Sequence, residues 1–192
     1  MNSIKKAICI AAIAASAAAQ ASAPAHISEV ESNNTIATAQ ELGSLISGSE
    51  VNVFGLRYDH LEGGSSVDYY KLSTASTLSF TFSVATRTGF LGGNDPMVGL
   101  FSSTGTLIDM NDDIDDNNYD SLLTRSVSAG TYYVAVTGYN EPMDFSGNGD
   151  KNWSYTLNIS AAAAPVPEPE SYAMLLAGLG IIGAVARRRK AG

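Results

Sequence analysis

The chain has 192 residues, a formal net charge of −8 from 11 Lys and Arg against 19 Asp and Glu, and a hydrophobic fraction of 45%. That is one domain of ordinary size with tails, and enough apolar mass for a packed core, which excludes wholesale disorder. Six basic residues sit at the two ends, and between His26 and Ser160 the 17 Asp and Glu face only Arg57, Lys71, Arg87, Arg125 and Lys151, a balance that repels phosphate backbones and excludes nucleic-acid binding.

Residues 1–25 open with Lys5 and Lys6, run through an Ala/Ile stretch from Ala7 to Ala19, and end on the small residues of Ala19-Gln20-Ala21 and Ala23-Pro24-Ala25. This is the pattern of a secretory signal peptide, cut after Ala21 or Ala25. Cys9, the one cysteine, leaves with it. The mature chain then has no thiol, so disulfides, cysteine–zinc sites and cysteine nucleophiles are excluded.

Residues 26–160 read as the exported domain. Its leader places Glu29, Glu31, Asn33 and Asn34 within six residues, four side chains of the oxygen type that calcium gathers in shells of six to eight. The same residues also suit a solvated leader with an Asn-rich cap for a short helical turn over Thr35–Leu42, and both readings stay open. From there the pattern is period two with turn punctuation. Val51 and Val53, then Tyr70 and Leu72, then Leu78, Phe80, Phe82 and Val84 alternate with polar neighbours, followed by Val98 and Leu100. Ser102-Ser103-Thr104-Gly105 has hairpin chemistry, Tyr132, Val134 and Val136 form another strand face, and Trp153, Tyr155, Leu157 and Ile159 form the last. Seven or eight short strands predict an all-β fold, a two-sheet antiparallel β-sandwich of jelly-roll-like type, flanked by the signal helix and a C-terminal hydrophobic helix. Trp153 alternates with Tyr155 and Leu157, which points it to the core.

Between two of these strands lies an acidic segment. Asp109, Asn111, Asp113 and Asp115 follow every-other-residue spacing, with Asp120 in twelfth position, which makes them a second candidate metal set. The glycine an EF-hand needs in sixth position is replaced by Ile114, so EF-hand geometry is excluded, and a solvated Asp/Asn turn loop is the alternative. A catalytic constellation is not legible. His26 and His60 have no metalloprotease or nucleophile-elbow pattern around them, and none of the carboxylates is marked out as half of a glycosidase pair. The catalytic set is therefore read as none.

In order and spacing, Glu29 to Thr35, Val67-Asp68-Tyr69-Tyr70-Lys71-Leu72, Asp95 to Phe101, Ala129-Gly130-Thr131-Tyr132-Tyr133-Val134-Ala135-Val136 and Tyr155-Thr156-Leu157 resemble a bacterial pre-peptidase C-terminal domain. The resemblance implies a β-sandwich of the kind that accompanies secreted peptidases, some of which bind calcium and some protein or polysaccharide fibres. It implies calcium ligands at Glu29, Glu31, Asn33, Asn34 and Asp68. Asn34 is neutral where an acid is common, and Ser65 stands where a further Asp is expected, which removes ligands from any second ion there.

Residues 161–171 form an Ala/Pro linker containing Pro167-Glu168-Pro169, and residues 172–192 carry the apolar run Ala173 to Ala186 and the tip Arg187, Arg188, Arg189 and Lys190. Fourteen helical residues reach only about 21 Å of a roughly 30 Å hydrocarbon core, so the run predicts a thin, temporary anchor with the four cations as its membrane stop. This segment resembles the PEP-CTERM sorting signal, with Pro167, Glu168 and Pro169 as its motif. The resemblance implies export, passage through an inner-membrane-anchored intermediate, and recognition by exosortase on the way to the cell surface or extracellular matrix. The expected function is a non-enzymatic structural, adhesion or exopolysaccharide-associated module. The alternatives are a calcium-dependent carbohydrate- or protein-binding module and, behind it, a secreted hydrolase.

Overall fold

The alternation read in the sequence becomes two sheets. The computed structural model describes residues 23–57, 67–86, 94–147, 149, 153–165 and 169–190. Sheet A contains β1 (Ala25–Ser28), β3 (Glu50–Arg57), β5 (Leu78–Thr86), β8 (Ser121–Val127) and β10 (Trp153–Ala163), in the order β1-β3-β10-β5-β8. Sheet B contains β2 (Gln40–Ser44), β4 (Asp68–Thr74), β6 (Pro96–Ser102), β7 (Leu107–Asn111) and β9 (Gly130–Gly138), in the order β2-β4-β9-β6-β7. Inward positions Val53, Phe80, Phe82, Val84, Leu157 and Ile159 of sheet A meet Tyr70, Leu72, Val98, Leu100, Val134 and Val136 of sheet B, all at most 1% exposed. Each such side chain contributes roughly 1.5–3 kcal/mol by leaving water. Trp153 is buried as its alternation predicts, with the guanidinium of the fully buried Arg57 5.3 Å above its ring.

The β-sandwich is present, but its sheets are mixed rather than purely antiparallel. β1 pairs parallel with β3, and β2 pairs parallel with β4. The first four strands alternate between the sheets, so each parallel pair is joined by a crossover through the opposite sheet, as parallel neighbours require. The predicted turn over Thr35–Leu42 is only a 3-10 turn, Ile36–Thr38, closed by a Thr35–Thr38 capping box, and β2 begins at Gln40. β10 runs past Ser160 to Ala163, with Ala161 buried. A C-terminal helix, α1 (Pro169–Lys190), follows the sandwich. The signal segment through residue 22, Pro167 and Glu168 lie outside the described residues.

The connections sort by pole. Segments 45–49, 75–77, 103–106 and 128–129 join strands at the pole where β10 ends, and none carries Asp, Glu, Lys or Arg. Gly105, at φ 80°, closes one of these as the β6–β7 hairpin. The chain leaves for α1 at this same pole, since Ala163 pairs with Leu78. At the other pole, the described residues beyond the strand ends carry Glu29, Glu31, Asp95, Asp112, Asp113 and further acids. Tyr155 and Ala163 lie eight residues apart on β10, about 26 Å of strand.

Candidate metal centre

β4 buries every second residue, so the alternation that sends Tyr70 and Leu72 into the core also turns Asp68 inward at the rim of the sheet, 0% exposed. The leader runs on from β1 past this rim. Glu29 N donates to the Phe54 carbonyl at 2.9 Å, and Glu29 Oε2 accepts from Leu56 N at 2.7 Å, which fixes the side chain against β3. Asn33 is fully buried. Its carbonyl accepts from Tyr69 N at 2.9 Å and its Nδ2 donates to Glu29 Oε1 at 3.0 Å, while its Oδ1 accepts no hydrogen bond. Asn33 N donates to Glu31 Oε2 at 3.3 Å. One carboxylate oxygen from each of Glu29, Glu31 and Asp68 lies within 4.8 Å of the others, and 4.8 Å is about the greatest separation of two oxygens bound to one calcium at 2.3–2.6 Å.

Two core tyrosines close the inner side. The Tyr155 hydroxyl donates to Asp68 Oδ2 at 2.7 Å and lies 3.2 Å from Glu29 Oε1, and the Tyr70 hydroxyl lies 2.8 Å from Glu29 Oε1 and 2.6 Å from that of Tyr155. Two hydroxyl protons thus serve four short contacts among oxygens. Burial first, then the charges of Glu29 and Asp68, push the Tyr70 hydroxyl far above its ordinary 10.0. Tyr155 is raised by burial and then by Asp68. Both remain neutral donors across the physiological range.

Of the sequence-predicted ligands, Glu29, Glu31, Asn33 and Asp68 converge, and Asn34 follows in the same segment. The second set, Asp109, Asn111, Asp113, Asp115 and Asp120, does not converge. Asp109 and Asn111 lie in the extended strand β7, where Asp109 Oδ2 accepts from Arg125 Nη1 at 3.3 Å and Asn111 Oδ1 from Leu122 N at 2.8 Å. Asp115 Oδ1 caps Asn117 N at 2.8 Å, and Asp120 Oδ1 takes Thr86 N and Oγ1 at 2.9 and 3.1 Å. An extended strand cannot curl its alternate side chains around one point as a calcium loop does. Only Asp113 enters a cluster, with Asp95 and Asp112, which the every-other-residue spacing misses. Asp112 is raised from its ordinary value by burial and then by the charge of Asp113, against which its hydrogen bond with Asp95 works in the lowering direction. Asp95 lies 17 positions before Asp112, and only the β6–β7 hairpin brings them together.

Residues 165–190 match the PEP-CTERM protein-sorting motif. No curated protein sequence matches the chain. Among solved structures it is similar to the pre-peptidase C-terminal domain of collagenase from Bacillus anthracis, at 18% identity and a TM-score of 0.41, over 64% of this chain and 93% of that one. It is likewise similar to Aeromonas hydrophila PliG, a periplasmic inhibitor of g-type lysozyme, at 12% identity and a TM-score of 0.41, over 64% of this chain and 96% of that one. A Paenibacillus barengoltzii β-glucosidase matches at 12% identity and a TM-score of 0.33, over 69% of this chain and 13% of the enzyme. Among the described residues no helix is long and apolar enough to cross a membrane. The sorting motif identifies an exported protein with a C-terminal anchor that exosortase recognises.

Proposed function

We propose that the sandwich is a non-catalytic module that binds calcium through Glu29, Glu31, Asn33, Asn34 and Asp68 and acts as a structural or adhesive element at the cell surface or in an exopolysaccharide matrix. The observation that carries this reading is the meeting of Glu29, Glu31 and Asp68 within 4.8 Å around the buried Asn33, whose Oδ1 has no hydrogen-bond partner. Three carboxylates at that spacing repel one another, and a divalent cation offsets the repulsion while giving the Asn33 oxygen a partner. Calcium suits the site because its shell is large and irregular, whereas magnesium demands a tight octahedron. The ion ties the leader to the rim of sheet B, where a segment so near a new chain end otherwise frays. The cluster stands at the pole opposite the exit towards the sorting segment, so an anchored domain presents it away from the tether.

The test is thermal unfolding of the full chain in non-ionic detergent, in EDTA and in calcium. Extracellular calcium modules bind near 10⁻⁴–10⁻³ M, so about 10 mM calcium adds about 1.4 kcal/mol or more of stability. Glu31→Gln weakens the response. An unchanged melting temperature overturns the calcium reading. For the adhesive role, the same chain is co-sedimented with the host's exopolysaccharide and surface-protein fractions with and without calcium, and no calcium-dependent retention by either overturns it.

A further inference from the structure

The outer face of sheet A is set apart from the rest of this acidic domain by its lack of charge. The phase that buries Val53, Leu157 and Phe82 turns Asn52, Thr156, Asn158, Ser83, Thr81 and Thr124 outward, with further Ser and Ala around them. Glu50 is the one acidic or basic side chain at an outward position of these strands, and it stands at the pole where β10 ends. Among the described residues a single side-chain hydrogen bond ties this face to itself, between the Thr81 and Thr124 hydroxyls at 3.1 Å. Beside β1 the face dips into an open cleft of about 350 Å³ lined by His26, Ile27, Ser28, Asn52, Phe54 and Thr156. Phe54 lies between Ser28 of β1 and Thr156 of β10 and is 48% exposed, an aromatic ring left in water whose burial a ligand can still gain.

We propose that this cleft is the subsite for one sugar residue of a neutral polysaccharide, with Phe54 against the C–H face of the ring and Ser28, Asn52 and Thr156 as partners of its hydroxyls. The choice of a glycan rests on the adhesive reading of the domain and gives that reading a partner class. The chemistry of the wall and the charge of the surroundings select the occupant. An aromatic wall with a few neutral groups that both donate and accept suits a ring that is apolar on its face and hydroxylated at its edge. No Asp, Glu, Lys or Arg lines the cleft, so it offers no counter-charge to an ionic ligand. An acidic polysaccharide and a second copy of the chain are both repelled by the domain's net negative charge, and a basic protein is drawn to the acidic pole instead. The hydroxyls and amides of β10, β5 and β8 continue the neutral surface past the cleft, where the neighbouring sugars of a polymer would lie.

Affinity electrophoresis tests this. The full chain, in a polyoxyethylene detergent that carries no sugar, is run in native gels containing dextran, galactomannan or hydroxyethylcellulose, with alginate as the acidic counterpart. The expected result is that at least one neutral glycan retards the wild type more than alginate does. Phe54→Ala weakens that retention about tenfold, the scale of one lost aromatic anchor, and Asn52→Ala, which leaves the ring in place, weakens it as well. Circular dichroism shows that both variants are folded, and both still melt higher in calcium, which separates the cleft from the Glu29 site. A wild type that no neutral glycan retards more than alginate overturns the inference, as does neutral-glycan binding that both variants keep at wild-type strength. If the cleft fails in either way while the chain still retains a surface protein in calcium, the adhesive reading stands without the glycan.

Discussion

Gly55 faces Tyr155 across the β3–β10 ladder, and a Cβ at Gly55 would stand 2.2 Å from Cζ of the Tyr155 ring. Here glycine serves close approach, since the ring needs that space to carry its hydroxyl to Asp68. Gly55→Ala is expected to displace the ring and cost about 1–3 kcal/mol, as overpacking does, read by urea denaturation, with a smaller calcium shift alongside. Tyr155→Phe keeps the ring and removes the donor 2.7 Å from Asp68 Oδ2. It should cost about 1–3 kcal/mol in EDTA and less in saturating calcium, where the ion becomes the carboxylate's partner. The raised hydroxyls of Tyr70 and Tyr155 also set an alkaline limit. In the unfolded chain both ionise near 10, while in the fold they stay neutral to higher pH. Their stabilisation is therefore complete below pH 10 and lost as pH rises above it. Melting followed from pH 8 to 11 should show that fall, and Tyr155→Phe should flatten it.

At the scale of elements, β6 departs from alternation. Pro96 to Phe101 are buried without a break, on both faces, as are Val134 to Gly138 of the adjacent β9. The outer face is covered by the segment after β9, where Phe145 lies against Gly99 and packs edge-on against Phe101 at 5.1 Å. Sequence shows a Gly-rich polar loop at 144–149 and gives no sign that it folds back, because one aromatic among polar residues looks the same in a free loop. Phe145→Ala is expected to cost about 1–3 kcal/mol, below the full-core value because Phe145 is partly exposed. It should also speed limited proteolysis between Tyr139 and Gly147. If cleavage there matches wild type, the segment is not held by Phe145. Six strands, β3 to β6, β9 and β10, were legible because one face meets the core; β8, which buries Leu123 and Val127, was not, since its exposed Leu122 breaks the alternation. The parallel edges were not, since β1 and β2 are short and polar and their partners are chosen by the path of the chain.

For the whole molecule, charge and exit point lie at opposite ends. The uncharged turns share a pole with the end of β10, and only five residues separate Ala163 from Pro169, where α1 begins. The short apolar run and its basic tip fit a temporary hold. Mass spectrometry of the exported protein should therefore find a C-terminus before Arg187, and an intact tail through Lys190 would count against processing.

Composition and pattern alone pointed to an acidic β-domain, and the resemblance carried by one stretch of chain pointed to its sorting tail. Both depend on local features: period-two alternation, and a motif whose residues are consecutive. Four candidate ligands of the first cluster, Glu29, Glu31, Asn33 and Asn34, were legible because they are neighbours in sequence, whereas Asp68 came only from the resemblance to the pre-peptidase C-terminal domain. The acidic segment shows the limit. Its spacing pointed to Asp109, Asn111, Asp113, Asp115 and Asp120, yet the fold gives Asp109, Asn111, Asp115 and Asp120 other hydrogen-bond partners and brings Asp113 beside Asp112 and the distant Asp95. Spacing along a chain fixes geometry only within a turn or a single strand. Which carboxylates share a point in space was decided by the pairing of β6 with β7, a long-range contact that the tertiary structure alone supplies.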